Sequence, residues 1–246
     1  MELSGTVALV TGANRGLGAA YVRALLDAGA AKVYAAARDP RSVAADDPRV
    51  VPLALDVTDA AQAEAAARAA GDVRLVISNA GIASGTSPLD EHAIDGARAE
   101  LEVNYFGLLN VARAFAPVLA ANGGGALVHM HSALSWVHFP GSGTYAASKA
   151  AAWAATNALR VQLRGQGTQV VGVHVGYVDT DMTAGVSDPK STPEEVVAAV
   201  LAGIEAGAEE VLADDVSRAV KANLADDLAT LYPGVQARYD AATAAA

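Results

Sequence analysis

Short apolar runs alternate with alanine-rich segments of helical periodicity along nearly the whole chain, and this alternation constrains the fold more than any other feature. Residues 7–10 (VALV), 32–37 (KVYAAA), 50–55 (VVPLAL), 75–78 (LVIS), 126–130, 170–175 and 210–213 read as strands. Helices are predicted over 16–29, 59–70, 99–121 and 144–163, the third ending at the Gly123–Gly125 break. Thr192-Pro193-Glu194-Glu195 starts another: threonine caps, proline suits the first helical position, and glutamate three residues on closes a capping box. Strands so continuously apolar are buried on both faces, which predicts a parallel sheet covered by helices on either side. Right-handed crossovers then make a doubly wound α/β fold with ligands at the carboxyl ends of its strands. About seven strands account for residues 1–246 as one domain, without repeats or linkers, and the tail 241–246 is expected to fray.

Composition narrows the function classes. Lys and Arg number 17 against 27 Asp and Glu, a net charge of −10, which argues against a nucleic-acid partner that needs cations to neutralise phosphates. Cysteine is absent, so disulfides, a thiol nucleophile and Cys-ligated metals are excluded. No cationic leader precedes an apolar core and no run of 18 uncharged apolar residues appears, so neither a signal peptide nor a membrane partner is expected. A cytoplasmic setting fits this composition.

Between the first strand and first helix stands Thr11-Gly12-Ala13-Asn14-Arg15-Gly16-Leu17-Gly18. Glycines there admit positive φ and let a phosphate approach the backbone, while the helix start offers free N–H groups and a positive dipole end. The spacing is neither that of the common dinucleotide fingerprint nor that of a P-loop. The second strand ends Ala36-Ala37-Arg38, with no carboxylate before Asp39. A carboxylate would favour a free ribose 2′-hydroxyl, whereas Arg38 and Arg15 would attract a 2′-phosphate. The pair favours NADP(H), with NAD(H) as the variant.

Tyr145 and Lys149 stand four residues apart, hence on one face of the predicted helix. A neighbouring ammonium stabilises phenolate and brings a phenol closer to useful acid/base range. Ser132 follows the fifth strand at its carboxyl end, and Asn104 is an odd residue for a helix interior, where it either serves function or makes a structural side-chain bond.

TGANRGLG, Asp56-Val57, Ser78-Asn79-Ala80-Gly81, Asn104, Ser132 and Tyr145-x3-Lys149 occur in an order and spacing that resembles the short-chain dehydrogenase/reductase family, over Thr11 to about Thr183. The resemblance implies a Rossmann-type sheet, a nicotinamide cofactor and a catalytic Asn104–Ser132–Tyr145–Lys149 tetrad. In it Tyr145 is the acid/base and Ser132 positions the carbonyl. Lys149 binds the nicotinamide ribose and depresses the tyrosine pKa, and Asn104 holds a proton-relay water. It further implies cofactor contacts by Gly12, Asn14, Arg15, Gly16, Leu17, Gly18, Arg38, Asp56, Val57, Asn79, Ala80, Gly81, Tyr145 and Lys149, with Asp56 at the adenine. The chain departs from the family where Val175-Gly176 replaces Pro-Gly and where Ser78 precedes Asn79; Val178 and Thr180 still offer cofactor contacts there. The family commonly forms tetramers, so a homo-oligomer is expected.

The implied activity is that of an NADP(H)-dependent oxidoreductase acting on a small ketone, aldehyde or alcohol; the alternative is a cofactor-sensing regulator or scaffold without turnover. Ser132, Tyr145, Trp136, Phe139, Tyr177 and Met182 are the candidate substrate contacts, with core packing an equal reading for the aromatics and Met182. Residues 179–191 read as a substrate lid. His129 and His131 face one side of a strand, but without further ligands at metal spacing no metal site is expected. His92, His138 and His174 read as surface or core residues.

Overall fold

The structure, a computed structural model, describes residues 1–244. Seven parallel strands form one sheet: β1 Val7–Thr11, β2 Lys32–Ala37, β3 Val50–Ala54, β4 Leu75–Ser78, β5 Gly125–Met130, β6 Thr168–His174 and β7 Glu210–Leu212. Their order is β3-β2-β1-β4-β5-β6-β7, so the chain reverses direction across the sheet between β1 and β4. That switch point opens a crevice at the carboxyl ends of the two strands, where doubly wound sheets bind ligands.

Side chains alternate between two cores along each strand, as a period of two demands. Ala8 and Val10 face one core with Tyr21 and Leu25 of helix α1 (Gly16–Asp27) and Val196, Val200 and Ile204 of helix α6 (Pro193–Glu205). Leu9 faces the other, built from α2 (Ala60–Ala69), α4 (Gly107–Ala121) and α5 (Gly143–Leu163) through Ala63, Phe115, Leu119 and Leu163. Helices thus cover both faces, and the chain is a single-domain Rossmann-type fold.

Local chemistry sets the element ends. Thr192 Oγ1 accepts the Glu195 N–H at 3.2 Å while Glu195 accepts the Thr192 N–H at 2.9 Å, the reciprocal cap legible in the sequence. Asp59 caps α2 instead of joining it. Gly125 sits at φ +144°, and a Cβ there would lie 2.1 Å from the Arg74 carbonyl oxygen, so β5 begins where only glycine fits beside β4.

The long helix differs from its predicted span. It starts as α3 (Ala93–Leu101), passes through a π turn at Glu102–Phe106 and continues as α4. By length and composition Ala93–Ala121 would suffice to cross a bilayer, yet here it lays Val111, Phe115 and Leu119 on the sheet. Beyond β7 come α7 (Asp215–Ala222), α8 (Asp227–Thr230) and α9 (Tyr232–Ala244). The tail expected to fray is helical through Ala244, and residues 245 and 246 lie outside the described residues.

Candidate active site

The β1–α1 turn is shaped for an anion. Gly12 and Gly16 hold φ of +64° and +51°. A Cβ on Gly18 would stand 2.0 Å from the Gly12 carbonyl oxygen, so the third glycine lets α1 close onto the loop. Arg15 at the N-cap makes no capping bond through its side chain and the first turn holds no acid, leaving the helix N–H groups and dipole to a ligand. Asn79 fixes the loop from β4: its N–H donates to Thr11 Oγ1 and its Nδ2 to the Thr11 carbonyl, both at 2.9 Å, and Ala80 N donates to the same hydroxyl at 3.0 Å. Asn14 is exposed and Leu17 half-buried beside it. This cradle fits the pyrophosphate of a dinucleotide.

Two basic side chains flank it. Arg38 is exposed immediately after β2, while Asp39, the nearest carboxylate, is occupied by a two-bond clasp to Arg41 at 2.9 and 3.0 Å, which holds it below the usual carboxylate range. Arg15 stands 3.5 Å from Asp181 across the cleft. Asp56 accepts from the Thr58 N–H and hydroxyl at 3.0 and 2.8 Å, and Val57 is buried against Gly107, where a Cβ would come within 2.7 Å of it.

Tyr145 and Lys149 project from the first turns of α5, and Ser132 ends the β5 extension. Ser132 Oγ accepts the Leu134 N–H at 3.1 Å. Lys149 is buried; its Nζ lies 5.7 Å from the Tyr145 ring centre and donates to the Met130 carbonyl at 2.9 Å. Burial pushes the Lys149 ammonium down to about 8. The Tyr145 phenol is pushed above its ordinary value by burial; the Ser132 hydroxyl pulls it down and the Glu100 charge raises it. Lys149 turns its ammonium to the Met130 carbonyl, and desolvation is the largest influence on the phenol.

Asn104 sits inside the π turn, where the widened ladder re-aims the side chain. Its Oδ1 accepts the Ile82 N–H, and its Nδ2 donates to the Ile82 carbonyl and Ser148 Oγ, all at 2.9 Å. The side chain thus ties the β4 loop and α5 to the π turn. A Cβ on Gly81 would lie 3.1 Å from Asn104 Oδ1 and 3.5 Å from Lys149 Nζ, so glycine lets the β4 turn nest between these two residues.

After β6 the turn lacks the family's proline. Buried Asp214 supplies a tie instead, its Oδ2 accepting the Gly176 N–H at 2.6 Å while its Oδ1 caps α7 through Ser217 N at 2.8 Å. Val178 is buried and bridges to Ser191, so residues 179–191 form a loop closed at its base. Thr180 caps a short 3-10 turn, Asp181–Thr183. Of the proposed substrate contacts, Trp136 belongs to the interior, stacked on His174 at 3.6 Å between ring centres under Lys221 Nζ at 4.6 Å. Phe139 and Tyr177 are half-buried, and Met182 is 54% exposed.

Two features are not anticipated by the sequence. Glu100 of α3 is fully buried and accepts from Ser84 N and Oγ, each at 2.6 Å. Its spacing from Ala93, Asn104 and Gly107 is the available signal, since all four share one buried helix face. His174 donates from Nδ1 to the Ser132 carbonyl at 3.2 Å, and its ring lies 5.1 Å from that of His131, itself 6.2 Å from His129.

The short chain dehydrogenase family model matches residues 6–191. A 1-deoxy-11-beta-hydroxypentalenate dehydrogenase of Streptomyces exfoliatus is 34% identical over 97% of this chain and 86% of its own length. A cis-4-hydroxycyclohexanecarboxylate dehydrogenase of Sinomonas cyclohexanicum is 33% identical over 79% of this chain and 87% of its own. Among solved structures, a short chain dehydrogenase from Burkholderia cenocepacia J2315 in complex with NADP superposes with a TM-score of 0.92 at 42% identity, covering 96% of this chain and 99% of that one. An NADPH-bound carbonyl reductase from chicken fatty liver gives 0.76 at 29% identity, covering 84% and 93%.

Proposed function

Because the chain belongs to the short-chain dehydrogenase family, we propose that it is an NADP(H)-dependent oxidoreductase that interconverts a carbonyl compound and its alcohol, with Tyr145 as the acid/base. The convergence of Ser132, Tyr145 and Lys149 beside the glycine cradle carries this reading.

The nicotinamide, when bound, supplies or accepts the hydride. Ser132 Oγ donates a hydrogen bond to the carbonyl oxygen, polarising it where negative charge develops. Tyr145 gives its phenolic proton to that oxygen, and its half-buried position keeps the proton in place until the oxygen demands it. Lys149, held by Met130, stands ready to bind the ribose and to stabilise the phenolate left behind.

Three observations support NADP(H): exposed Arg38 at the end of β2, the Asp39 carboxylate tied to Arg41, and the NADP carried by the Burkholderia relative. A panel of cyclic and linear ketones and secondary alcohols, followed through the absorbance of the reduced cofactor with NADPH and NADH, tests the proposal. Cofactor binding without turnover of any substrate would overturn it in favour of a sensor.

A further inference from the structure

Glu100 is a carboxylate with no exposed surface, placed one helix away from the reacting phenol. Its Oε1 takes two bonds from Ser84 at 2.6 Å, lengths found where the acceptor is charged, while Oε2 is buried without a partner. Taking such a group out of water is costly, and a leucine of similar size would pack there without that cost.

Its bonds lead towards Tyr145. Ser84 Oγ meets Thr86 Oγ1 at 3.0 Å, and Thr86 Oγ1 meets Thr144 Oγ1 at 2.6 Å, the residue just before Tyr145. Thr144 also donates to the Thr86 carbonyl at 3.2 Å. Gly96 admits this chain of hydroxyls: a Cβ there would stand 2.6 Å from Thr86 Oγ1 and 2.9 Å from Ser84 Oγ. Residues 82–86 are thus fastened at Asn104, Glu100 and Thr144, between the cofactor turn of β4 and the start of α5.

We propose that Glu100 is a positioning residue that seats residues 82–86 against Tyr145 and, through its charge, keeps Tyr145 a proton donor, poising the site for carbonyl reduction at neutral pH. The charged and polar groups that act on the phenol are Ser132 from the β5 side, Lys149 one turn along α5 and, through space, Glu100 from α3. Ser132 and Lys149 favour the phenolate, whereas burial and, beyond it, the Glu100 charge oppose it. The inference rests on the oxidoreductase function proposed for the same site.

The test pairs two variants. Glu100→Gln keeps the shape and removes the charge, and Ser84→Ala removes the hydroxyl arm of the tether, with its link to Thr86, and keeps the charge. In Glu100→Gln the pH midpoint for alcohol oxidation falls by about one unit, and the reduction rate starts to decline at correspondingly lower pH. Ser84→Ala raises KM several-fold and leaves the midpoint within about 0.2 unit of the parent. A Glu100→Gln midpoint within about 0.2 unit of the parent overturns the proposal, as does an equal shift in Ser84→Ala, which would trace the effect to displacement instead of charge. Should Glu100→Gln fail to fold, the double variant Glu100→Gln/Ser84→Ala removes the Ser84 hydroxyl donor together with the charge and carries the same expected shift. The ζ-carbon chemical shift of isotope-labelled Tyr145, assigned by loss in Tyr145→Phe and followed against pH in the NADP+-loaded protein, reads the midpoint without turnover. A chain inactive on every substrate would thus refute the oxidoreductase function, and the labelled phenol would still show whether Glu100 raises its midpoint.

Discussion

Lys149 directs its ammonium to the Met130 carbonyl, 2.9 Å away, while lying 5.7 Å from the centre of the Tyr145 ring. The two residues share a helix face as their spacing of four requires, yet they are coupled only at a distance. Burial therefore governs both, driving the phenol up and the ammonium down to about 8, and each favours the form in which Tyr145 holds its proton. A phenol resting in this state suits the proton-donor role proposed for Tyr145.

Tyr145→Phe should remove nearly all reduction and leave NADPH binding within about twofold of the parent. The ring still packs, whereas the donor to the developing alkoxide is gone, a contribution of roughly 10²–10⁴ in rate for general acid catalysis. Steady-state kinetics with a fluorescence titration of NADPH separates the two effects. Turnover above about a tenth of the parent would remove Tyr145 from its role.

Lys149→Met should damage cofactor affinity as well as rate. Met130 would lose the donor to its carbonyl, and the ribose would lose its cation. With the ammonium absent, the phenolate loses the cation that stands 5.7 Å from its ring, so the pH midpoint for oxidation should rise by about one unit. An unchanged Kd for NADPH together with an unchanged midpoint would mean that Lys149 only packs.

Much of this geometry is legible in the chain before folding. Buried parallel strands are continuous apolar runs, so each is placed to within two residues, and Ser132, Tyr145 and Lys149 follow from their places at strand and helix ends. The π turn is not legible in this way. An added residue per turn is selected by tertiary partners, here Asn104 clasping Ile82 and Gly107 lying against Val57, and periodicity does not record them. Glu100 resembles one more solvated helix charge until the β4 loop folds over it. His174 stands 42 residues from the Ser132 carbonyl it holds, a pairing that only the β5–β6 register creates.

Asp214→Ala should cost about 2–4 kcal/mol of stability. It leaves the Gly176 N–H without its 2.6 Å partner and removes the α7 cap, losses of about 1–3 and about 1 kcal/mol respectively. The turn that carries Val178 and Thr180 should loosen, raising KM for the cofactor while kcat holds. Urea unfolding should show a lower midpoint at constant slope. A loss under about 0.5 kcal/mol would show that the turn keeps its shape without Asp214.

The histidine cluster predicts acid sensitivity. Burial pushes His129 and His174 down to about 3 and His131 well below its ordinary value, so the folded chain holds all three neutral. In the unfolded chain they protonate near 6.5, so below that pH the unfolded state binds more protons and stability falls with falling pH. The loss continues until pH approaches the folded values near 3. Each histidine contributes about 1.4 kcal/mol per pH unit, and three together remove about 4 kcal/mol per unit, enough to unfold an ordinary domain between roughly pH 5 and pH 4. His131→Leu should reduce that slope by about a third, because both ring nitrogens of His131 lack partners and leave none stranded. An unchanged slope in urea titrations from pH 6.5 to pH 4.5 would assign the acid lability to carboxylates instead.

The proposed NADP(H) preference predicts that cofactor choice is set at the end of β2. Ala37 is buried at 4%, so a carboxylate placed there would be desolvated, whereas Arg38 projects into solvent and tolerates replacement. Arg15 approaches from the glycine loop but shares its charge with Asp181 at 3.5 Å, an exposed pair that salt weakens. Arg38 should therefore carry most of the discrimination. Charge-assisted contacts to a 2′-phosphate, discounted for exposure, give NADPH an advantage of roughly ten- to hundredfold in kcat/KM over NADH. Arg38→Asp removes the attraction and adds repulsion, so kcat/KM for NADPH should fall about a hundredfold while that for NADH changes less than threefold. Arg15→Ala should weaken NADPH by a smaller factor that shrinks further in high salt. A parent enzyme that prefers NADH would refute the reading of Arg38 and leave the roles of Ser132, Tyr145 and Lys149 intact.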